Sequence, residues 1–348
     1  MRKKYLFFVS HSYSFSIMRP LQAEIVKRGD EAAWFIEQGC ENFLAPEERL
    51  LQTIRQVIDY NPFAVFAPGN LIYDFFPGIK VALFHGYAMK KRIEKIDDHF
   101  TIRGWFDMYC TQGESSTPYF KMLEKKYGFF KIYETGWCKA DTFFASDLPE
   151  PAKSPIPTIL YSPTFSKNIC SAEELYPVIE QLAVEKRWNW LITFHPKINS
   201  ADLIRKYEDL GNKYPNVCFQ RYNNGLETFL KSDVMLCDSS SIIVEYMMLN
   251  RPVVTYRNTH PGDFLIDVTD KTCIGAAIER ALTYPPELME NIKKYVHFHE
   301  AHCDGNNCAR VLDAVSDFAA NYAGKLKRKP LNLIRKLKLR LKLHYYGF

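Results

Sequence analysis

Two histidines follow apolar segments that have the length and composition of buried strands. His85, with Gly86 after it, follows the run VALF, and His195 follows LITF. Ligands of open α/β sheets bind beyond the carboxyl ends of the strands, and an imidazole accepts protons from hydroxyl groups near neutral pH. His85 is therefore a candidate general base, and His195, with Lys197 nearby, is a candidate ligand for a phosphate oxygen. The alternative for each histidine is a structural role at a sheet edge.

A third group of polar residues lies between a strand pattern and a helix pattern. The segment DVMLCDSSSIIVEYMMLN contains Asp238, then Ser239, Ser240 and Ser241, then Glu245. Hydroxyls and free N–H groups at a helix start form an anion site, which the helix dipole reinforces. Glu245 follows one turn after Ser241, where it could hold ribose hydroxyls. The pattern predicts a site for a nucleotide diphosphate, and the alternative is a serine-rich helix cap.

Short apolar segments alternate with helical patterns along most of the chain, which indicates βαβ units around parallel sheets. The proline-rich stretch DLPEPAKSPIPT separates two such series and predicts a linker. We expect an α/β protein with two Rossmann-like domains facing a cleft, the arrangement called GT-B-type. One histidine would come from each domain, so the two could meet across that cleft. The predicted parts are an N-terminal acceptor domain (1–146), a linker (147–158), a nucleotide-donor domain (159–324) and a basic tail (325–348).

The net charge of +5 comes from this tail. Residues 325–348 contain nine Lys or Arg and no Asp or Glu, which leaves 36 basic and 40 acidic residues in the rest of the chain. That balance argues against nucleic-acid binding by the domains. The charge and the interleaved leucines of the tail suit an anionic membrane surface. However, the alternation LKLRLKL does not separate cleanly on a helical wheel, and the alternative is a disordered solubilising tail.

Compartment and cofactors follow from what the sequence lacks. No apolar stretch approaches the ~18–20 residues of a membrane span, and the apolar run near the start is too short for a secretory signal. Nine scattered cysteines without a CxxC pair indicate reduced thiols. We therefore expect a cytoplasmic protein that lies peripherally on the inner face of the cell membrane. No DxD-like acidic pair follows a predicted strand, so we expect no obligatory metal and no other cofactor.

Six blocks, in order along the chain, resemble motifs of the CDP-glycerol glycerophosphotransferase family, the teichoic-acid-type polyol-phosphate transferases. FHGYAMKK resembles W-H-G-T-P-x-K, YETGWCKAD resembles E-T-G-x-P-R-x-D, and ILYSPTFSKN resembles I-L-Y-A-P-T-F-R-D. TFHPK resembles the second histidine motif of the family, and SDVMLCDSSSIIVEYMMLNRPVVTY resembles its D-Y-S-S segment. CDGNNCARVLD is similar to its closing D-G-x-A-x-x-R segment. The blocks span about residues 80 to 315.

The resemblance implies a mechanism and a set of partners. His85 would remove a proton from an acceptor hydroxyl, which would attack the distal phosphorus of CDP-glycerol and displace CMP. His195 and the serines would stabilise charge on the phosphates. The acceptor would be lipid-linked or a glycan, in cell-surface polymer synthesis. The further candidates are, for the donor, Thr164, Lys139 and Lys197 and, for the acceptor, Gly86 and Lys90.

Several positions depart from the family motifs. Tyr87 stands where the family has Thr, Cys138 and Lys139 replace Pro and Arg, Ser166 replaces Arg, and Ser239 replaces Tyr. These changes near a phosphate site leave the donor open between CDP-glycerol, CDP-ribitol and a nucleotide sugar. Two other functions therefore stay open. One is a glycosyltransferase or epimerase-like enzyme that uses a UDP-sugar, and the other is a non-catalytic membrane scaffold.

Overall fold

The computed structural model describes residues 2–87, 98–148, 155–166, 168–195, 197–221 and 225–346. Lys90 and part of the predicted linker lie outside these ranges. The chain forms two compact units: the first contains the described residues within 1–88, 96–145 and 298–348, and the second those within 146–297. Each unit is built on a parallel six-stranded sheet. The predicted α/β class with two Rossmann-like domains is therefore confirmed.

The sheet of the first unit has the strand order β2-β1-β3-β4-β5-β6. Its strands are apolar runs buried along most of their length, as parallel strands covered on both faces must be; β1, for example, buries five consecutive residues. The order reverses direction between β1 and β3, and such switch points are where open α/β sheets bind ligands. Its elements are β1 (Lys4–Val9), α1 (Tyr13–Lys27), β2 (Glu31–Ile36), α2 (Ile54–Tyr60), β3 (Ala64–Ala67), β4 (Ile79–Ala82), β5 (Met108–Thr111), α3 (Thr117–Tyr127) and β6 (Lys131–Glu134).

The second unit repeats this plan with the strand order β12-β11-β10-β7-β8-β9. Its switch point lies between β7 and β10, which pair in parallel. Its elements are β7 (Thr158–Tyr161), α4 (Ala172–Glu185), β8 (Asn189–Thr193), α5 (Ala201–Lys213), β9 (Val217–Gln220), α6 (Leu226–Leu230), β10 (Val234–Cys237), α7 (Ile242–Met247), β11 (Val253–Tyr256), β12 (Ile266–Val268), α8 (Ile274–Leu282) and α9 (Pro286–His299).

The chain then returns to the first unit with α10 (Asn307–Asn321) and α11 (Leu333–Lys342). Residues 298–324, which the sequence assigned to the second domain, therefore belong with the first. The reason is the apolar face of α10, which is buried along its length and is fixed by polar contacts of its other side chains. Asp313 pairs with Arg28 at 2.6 Å, and Asp317 accepts a hydrogen bond from the Tyr133 hydroxyl at 2.6 Å.

The basic tail is ordered over α11 and packs on the first unit through Leu339, which joins its apolar core. Lys336 and Arg340 lie near Asp74, at 3.6 and 3.3 Å. Within the segment LKLRLKL, Leu339 is therefore on the docked side of the helix, whereas Leu337 and Leu341 are exposed. Among the described residues, no helix combines the length and the apolar character needed to cross a bilayer.

Candidate active site

His85 follows β4 by three residues and is exposed. The residue before it, Phe84, has φ +58, a left-handed conformation that is strained for a bulky side chain. The indole Nε1–H of Trp137 donates to the Phe84 carbonyl at 3.2 Å, and the Phe84 ring stacks on His99 at 4.7 Å. Burial, together with the charge of His85, lowers the pKa of His99 to about 4, so His99 stays neutral near pH 7. The turn thus holds His85 outside the core on a fixed backbone.

A buried carboxylate, Glu300, secures the other side of this turn. Its Oε2 accepts from the Tyr87 hydroxyl at 2.6 Å and from the Trp137 backbone N–H at 3.1 Å. Its Oε1 accepts from the Asn307 side-chain amide at 3.2 Å. Glu300 is fully buried, and this burial raises its pKa to about 8 against the lowering effect of these hydrogen bonds. Glu300 therefore connects α10 to Tyr87 directly and to the Phe84 carbonyl through Trp137.

The E-T-G-W-C-K-A-D block provides the rest of this support. Gly136 has φ +75, and a Cβ there would overlap the side chains of both Asn307 and Glu300. Asp141 accepts from the backbone N–H groups of Asn307 and Cys308, each at 2.8 Å, and so caps the start of α10. Burial raises the pKa of Asp141. The structure thus brings three of the sequence blocks together around the His85 turn.

Three residues after β1 were missed by the sequence reasoning. The ring of Tyr13 stacks between His11 and His85, with centroid distances of 5.1 and 5.2 Å. Ser10 Oγ lies 3.1 Å from His11 Nδ1. These residues follow the strand at the switch point of the first sheet, where a ligand is expected. The signal was available as a Ser-His pair after the apolar run YLFFV.

In the second unit, Asp238 follows β10 and holds the loop that follows β7. Its carboxylate accepts from the Thr164 backbone N–H at 2.9 and 3.1 Å, and from the backbone N–H and hydroxyl of Ser171 at 3.1 Å each. Burial raises the pKa of Asp238, against the effect of these hydrogen bonds. Because protein donors surround the carboxylate, Asp238 contributes to the site by holding the loop after β7 next to the loop after β10, at the switch point.

His195 lies after β8, beside the same loop. Its Nδ1 accepts from the Lys197 backbone N–H at 3.0 Å, so the proton of the neutral ring is on Nε2, which is then a hydrogen-bond donor. The His195 and Phe165 rings are 4.4 Å apart, and Lys197 Nζ lies 4.9 Å from the Phe165 ring centre. His195 and Lys197 are both exposed. A donor and a cation are thus presented side by side, which suits a phosphate oxygen.

The three serines differ in their surroundings. Ser239 is buried, and its hydroxyl accepts from the Thr259 backbone N–H at 2.8 Å. Ser240 and Ser241 are half-buried before α7, and Ser241 makes no side-chain capping bond. Since α7 has six residues, its dipole is short, and the hydroxyls matter more than the helix field. Glu245 is 9% exposed, which leaves little of it for a ribose.

The remaining candidates lie in the first unit or outside the described residues. Lys139 is half-buried, with Nζ 5.5 Å from the Trp137 ring centre, and Gly86 is half-buried next to His85. Lys90 lies outside the described residues. Among the residues that the structure describes, no three His, Cys, Asp or Glu side chains are grouped so as to hold a metal ion.

The motifs belong to one family. The family described as CDP-glycerol:poly(glycerophosphate) glycerophosphotransferase matches residues 114–316, which is more than half of the chain. The chain belongs to this family. The match confirms the resemblance and includes Asp141, Thr164, His195, the serines and Glu300. His85 precedes the matched segment.

Solved structures share the fold of this glycerophosphotransferase-family protein at low sequence identity. The UDP complex of MnaA from S. aureus has a TM-score of 0.66 and 14% identity, with 93% of this chain and 98% of that one covered. A variant of the wall teichoic acid polymerase TagF has a TM-score of 0.62 and 12% identity, with coverage of 92% and 90%. A TagF variant soaked with CDPG has a TM-score of 0.59 and 15% identity, with coverage of 90% and 88%. No curated protein matches the chain.

Proposed function

We propose that this chain transfers glycerol phosphate from CDP-glycerol to a hydroxyl group of a lipid-linked or glycan acceptor in cell-surface polymer synthesis. The observation that carries the proposal is the match to the glycerophosphotransferase family. Two relatives in fold add support, since TagF is a wall teichoic acid polymerase and one of its structures was soaked with CDPG.

In the proposed reaction His85 accepts the proton of the acceptor hydroxyl. The acceptor oxygen forms a bond to the phosphorus that carries glycerol, the bond from that phosphorus to the bridging oxygen breaks, and CMP leaves with the electron pair. His195 donates from Nε2 to a phosphate oxygen, and Lys197 and the hydroxyls of Ser240 and Ser241 offset the charge that develops there.

The geometry of each unit supports these roles. His85 is exposed at the end of β4 on a turn that Trp137 and Glu300 hold in place. A general base contributes typically ~10²–10⁴-fold to the rate, and only when it is held at hydrogen-bond distance from its proton. His195 and the serines stand around the switch point between β7 and β10, where a nucleotide is expected.

A second candidate is an enzyme that uses a UDP-sugar. It is favoured by the likeness to MnaA, whose structure contains UDP and which covers nearly the whole chain. The donors of the two candidates differ in their nucleobase, cytosine or uracil, and in the group attached to the diphosphate. Measuring which donor binds therefore separates the two candidates.

Membrane attachment through residues 325–348 is also proposed, at the inner face of the cell membrane. Leu333, Ile334 and Leu337 of α11 are 67%, 73% and 60% exposed, and Leu341 is 51% exposed. At 100° per residue these four positions fall within one third of the helix circumference, with Lys338 beside them. An exposed apolar stripe flanked by basic side chains suits an anionic lipid surface.

The first test is calorimetric titration of the full chain with CDP-glycerol and with UDP-N-acetylglucosamine. We expect CDP-glycerol to bind, and Ser240→Ala with Ser241→Ala to weaken this binding by about tenfold or more, because hydrogen bonds to charged groups are lost. The control, Ser115→Ala with Ser146→Ala, removes two hydroxyls that are not part of the proposed donor site. Binding of the UDP-sugar alone would exclude glycerophosphate transfer and favour the second candidate.

The base is tested by CMP release in the presence of a synthetic lipid that ends in glycerol phosphate. His85→Asn should lower kcat by about 10²–10⁴-fold and leave CDP-glycerol affinity unchanged. His344→Asn removes another exposed histidine of the first unit and serves as the control. If His85→Asn keeps full activity, the assignment of the base is wrong.

A further inference from the structure

The first unit contains a concave surface away from the candidate residues, an open groove of about 1260 Å³. It lies at the amino-terminal ends of the strands: Lys4 begins β1, Phe63 precedes β3, and Lys80 is the second residue of β4. Residues 318–336 form its other wall. His85 follows the opposite end of β4 and is not among the residues that line the groove. The groove is therefore separate from the His85 turn.

The lining of this groove has an excess of positive charge. It contains seven basic and three acidic side chains, a formal balance of +4. The acidic ones are already paired, since Asp59 lies 3.1 Å from Arg55, Asp107 lies 2.6 Å from Lys329, and Asp74 lies near Lys336. Among the described residues, the lining cations without a carboxylate at ion-pair distance are Arg2, Lys3, Lys4, Lys80 and Lys327.

Lys80 is the most constrained of these cations. Its backbone N–H donates to Asp107 at 2.7 Å, and its Nζ donates to the Gly78 carbonyl at 2.8 Å. Gly78 has φ +84, and a Cβ there would overlap the Pro62 carbonyl, so the turn before Lys80 requires glycine. Burial, and further the charges of Lys329 and Lys336, lower the pKa of Lys80 to about 8 against the effect of Asp107. A bound anion would relieve this repulsion.

The remaining surface of the groove is largely apolar. Aromatic residues are among those that line it, and Phe63 is half-buried, whereas Trp105 and Phe318 are buried. Its wall includes Lys336 of α11, the helix that also carries the exposed leucines. A ligand that fits has an anionic head for the lysines and an apolar part for the rings.

We propose that this groove binds the phosphate group of an amphipathic phosphate ester, at a site distinct from the one where transfer is proposed. The phosphate would lie between Lys80 and Lys327, and the apolar part would contact Phe63. A soluble phosphate ester and a lipid head group share this chemistry. The proposal does not depend on the identity of the donor.

Binding of two probes to the full chain tests this site without CDP-glycerol. The soluble probe is sn-glycerol 3-phosphate, titrated by calorimetry, and the lipid probe is phosphatidylcholine vesicles with added phosphatidylglycerol, tested by co-sedimentation. The variant is Lys80→Gln with Lys327→Gln. The matched control is Lys125→Gln with Lys126→Gln, which removes two exposed charges from α3 of the same unit.

We expect the Lys80 and Lys327 variant to lose about tenfold or more in affinity for at least one probe, and the control to bind as the unchanged chain does. Loss toward both probes identifies the phosphate group itself as the ligand, whereas loss toward vesicles alone identifies a lipid head group. The variant and the control both keep the leucines of α11, so a difference in vesicle binding between them is due to the groove. Equal binding by variant and control, or no binding of either probe, would overturn the proposal.

Discussion

Replacing Glu300 by Gln should change how the stability of this protein depends on pH. Glu300 is fully buried beneath the His85 turn, and burial raises its pKa from the ordinary 4.5 to about 8. Below pH 4.5 the carboxyl is protonated in both the folded and the unfolded chain, so its contribution is complete. As the pH rises, the unfolded chain ionises first, and the free energy of unfolding falls until the pH passes about 8, where the folded group ionises as well.

The magnitude follows from the size of the shift. Each pH unit between the two pKa values costs about 1.4 kcal/mol, so stability from this group falls by about 3 kcal/mol between pH 4.5 and 7. The amide side chain of the Glu300→Gln variant is neutral at every pH, so the variant does not show this fall in stability. The difference in unfolding free energy between the variant and the unchanged chain should therefore move in favour of the variant as the pH rises from 5 to 8.

Urea unfolding at half-unit steps from pH 5 to 8.5, followed by tryptophan fluorescence, measures this difference. Glu114→Gln, which removes an exposed carboxylate from the same unit, is the control and should run parallel to the unchanged chain. If Glu300→Gln also runs parallel, Glu300 is ionised in the folded protein. The hydrogen bonds from Tyr87 and Trp137 would then outweigh the cost of burial, and the reasoning would be refuted.

Three further predictions concern other parts of the molecule. Asp238→Asn replaces one carboxylate oxygen with an amide nitrogen, which cannot accept a hydrogen bond, and should lower the unfolding free energy by about 1–3 kcal/mol in urea titrations; an unchanged midpoint would contradict its role. Trp137→Phe removes the hydrogen bond to the Phe84 carbonyl, and should lower kcat for CMP release without changing KM for CDP-glycerol. Leu337→Gln should weaken sedimentation with phosphatidylglycerol vesicles, whereas Val26→Gln, equally exposed on α1, should not. Equal vesicle binding by these two variants would remove the support for the membrane role of α11.

The sequence was sufficient to predict both sheets and the loops that carry the candidate site. Apolar strands followed by His85, by His195 and by Asp238 indicated which polar residues stand at strand ends. The structure adds that Asp238 follows β10 and Thr164 follows β7, the two strands at the switch point of the second sheet. Strand order was not available from the pattern, because every buried parallel strand has the same apolar signature.

The bounds of the domains were predicted less well, because each domain was assumed to be one continuous stretch of the chain. The first unit instead combines N-terminal residues with the C-terminal residues from 298 onward. The apolar stripe of α10 shows that this helix must pack against other elements, but the pattern does not identify which elements these are. Its contacts with α1 and β6 join residues that are far apart in sequence, such as Arg28 and Asp313. The same holds for α11, whose Leu339 is buried in the first unit while its neighbouring leucines are exposed.

By itself, the sequence determined the family, the class of fold and the strand-end positions of the candidate residues. These depend on local periodicity and on the types and spacing of side chains, both of which are visible in one dimension. Only the tertiary structure decided that Glu300 supports the His85 turn, since it reaches Tyr87 across 213 residues of sequence. Only the tertiary structure, likewise, gathered scattered lysines into one groove. Burial and the pairing of charges are set by neighbours in space, and these fix the pKa of a side chain and the ligands it can bind.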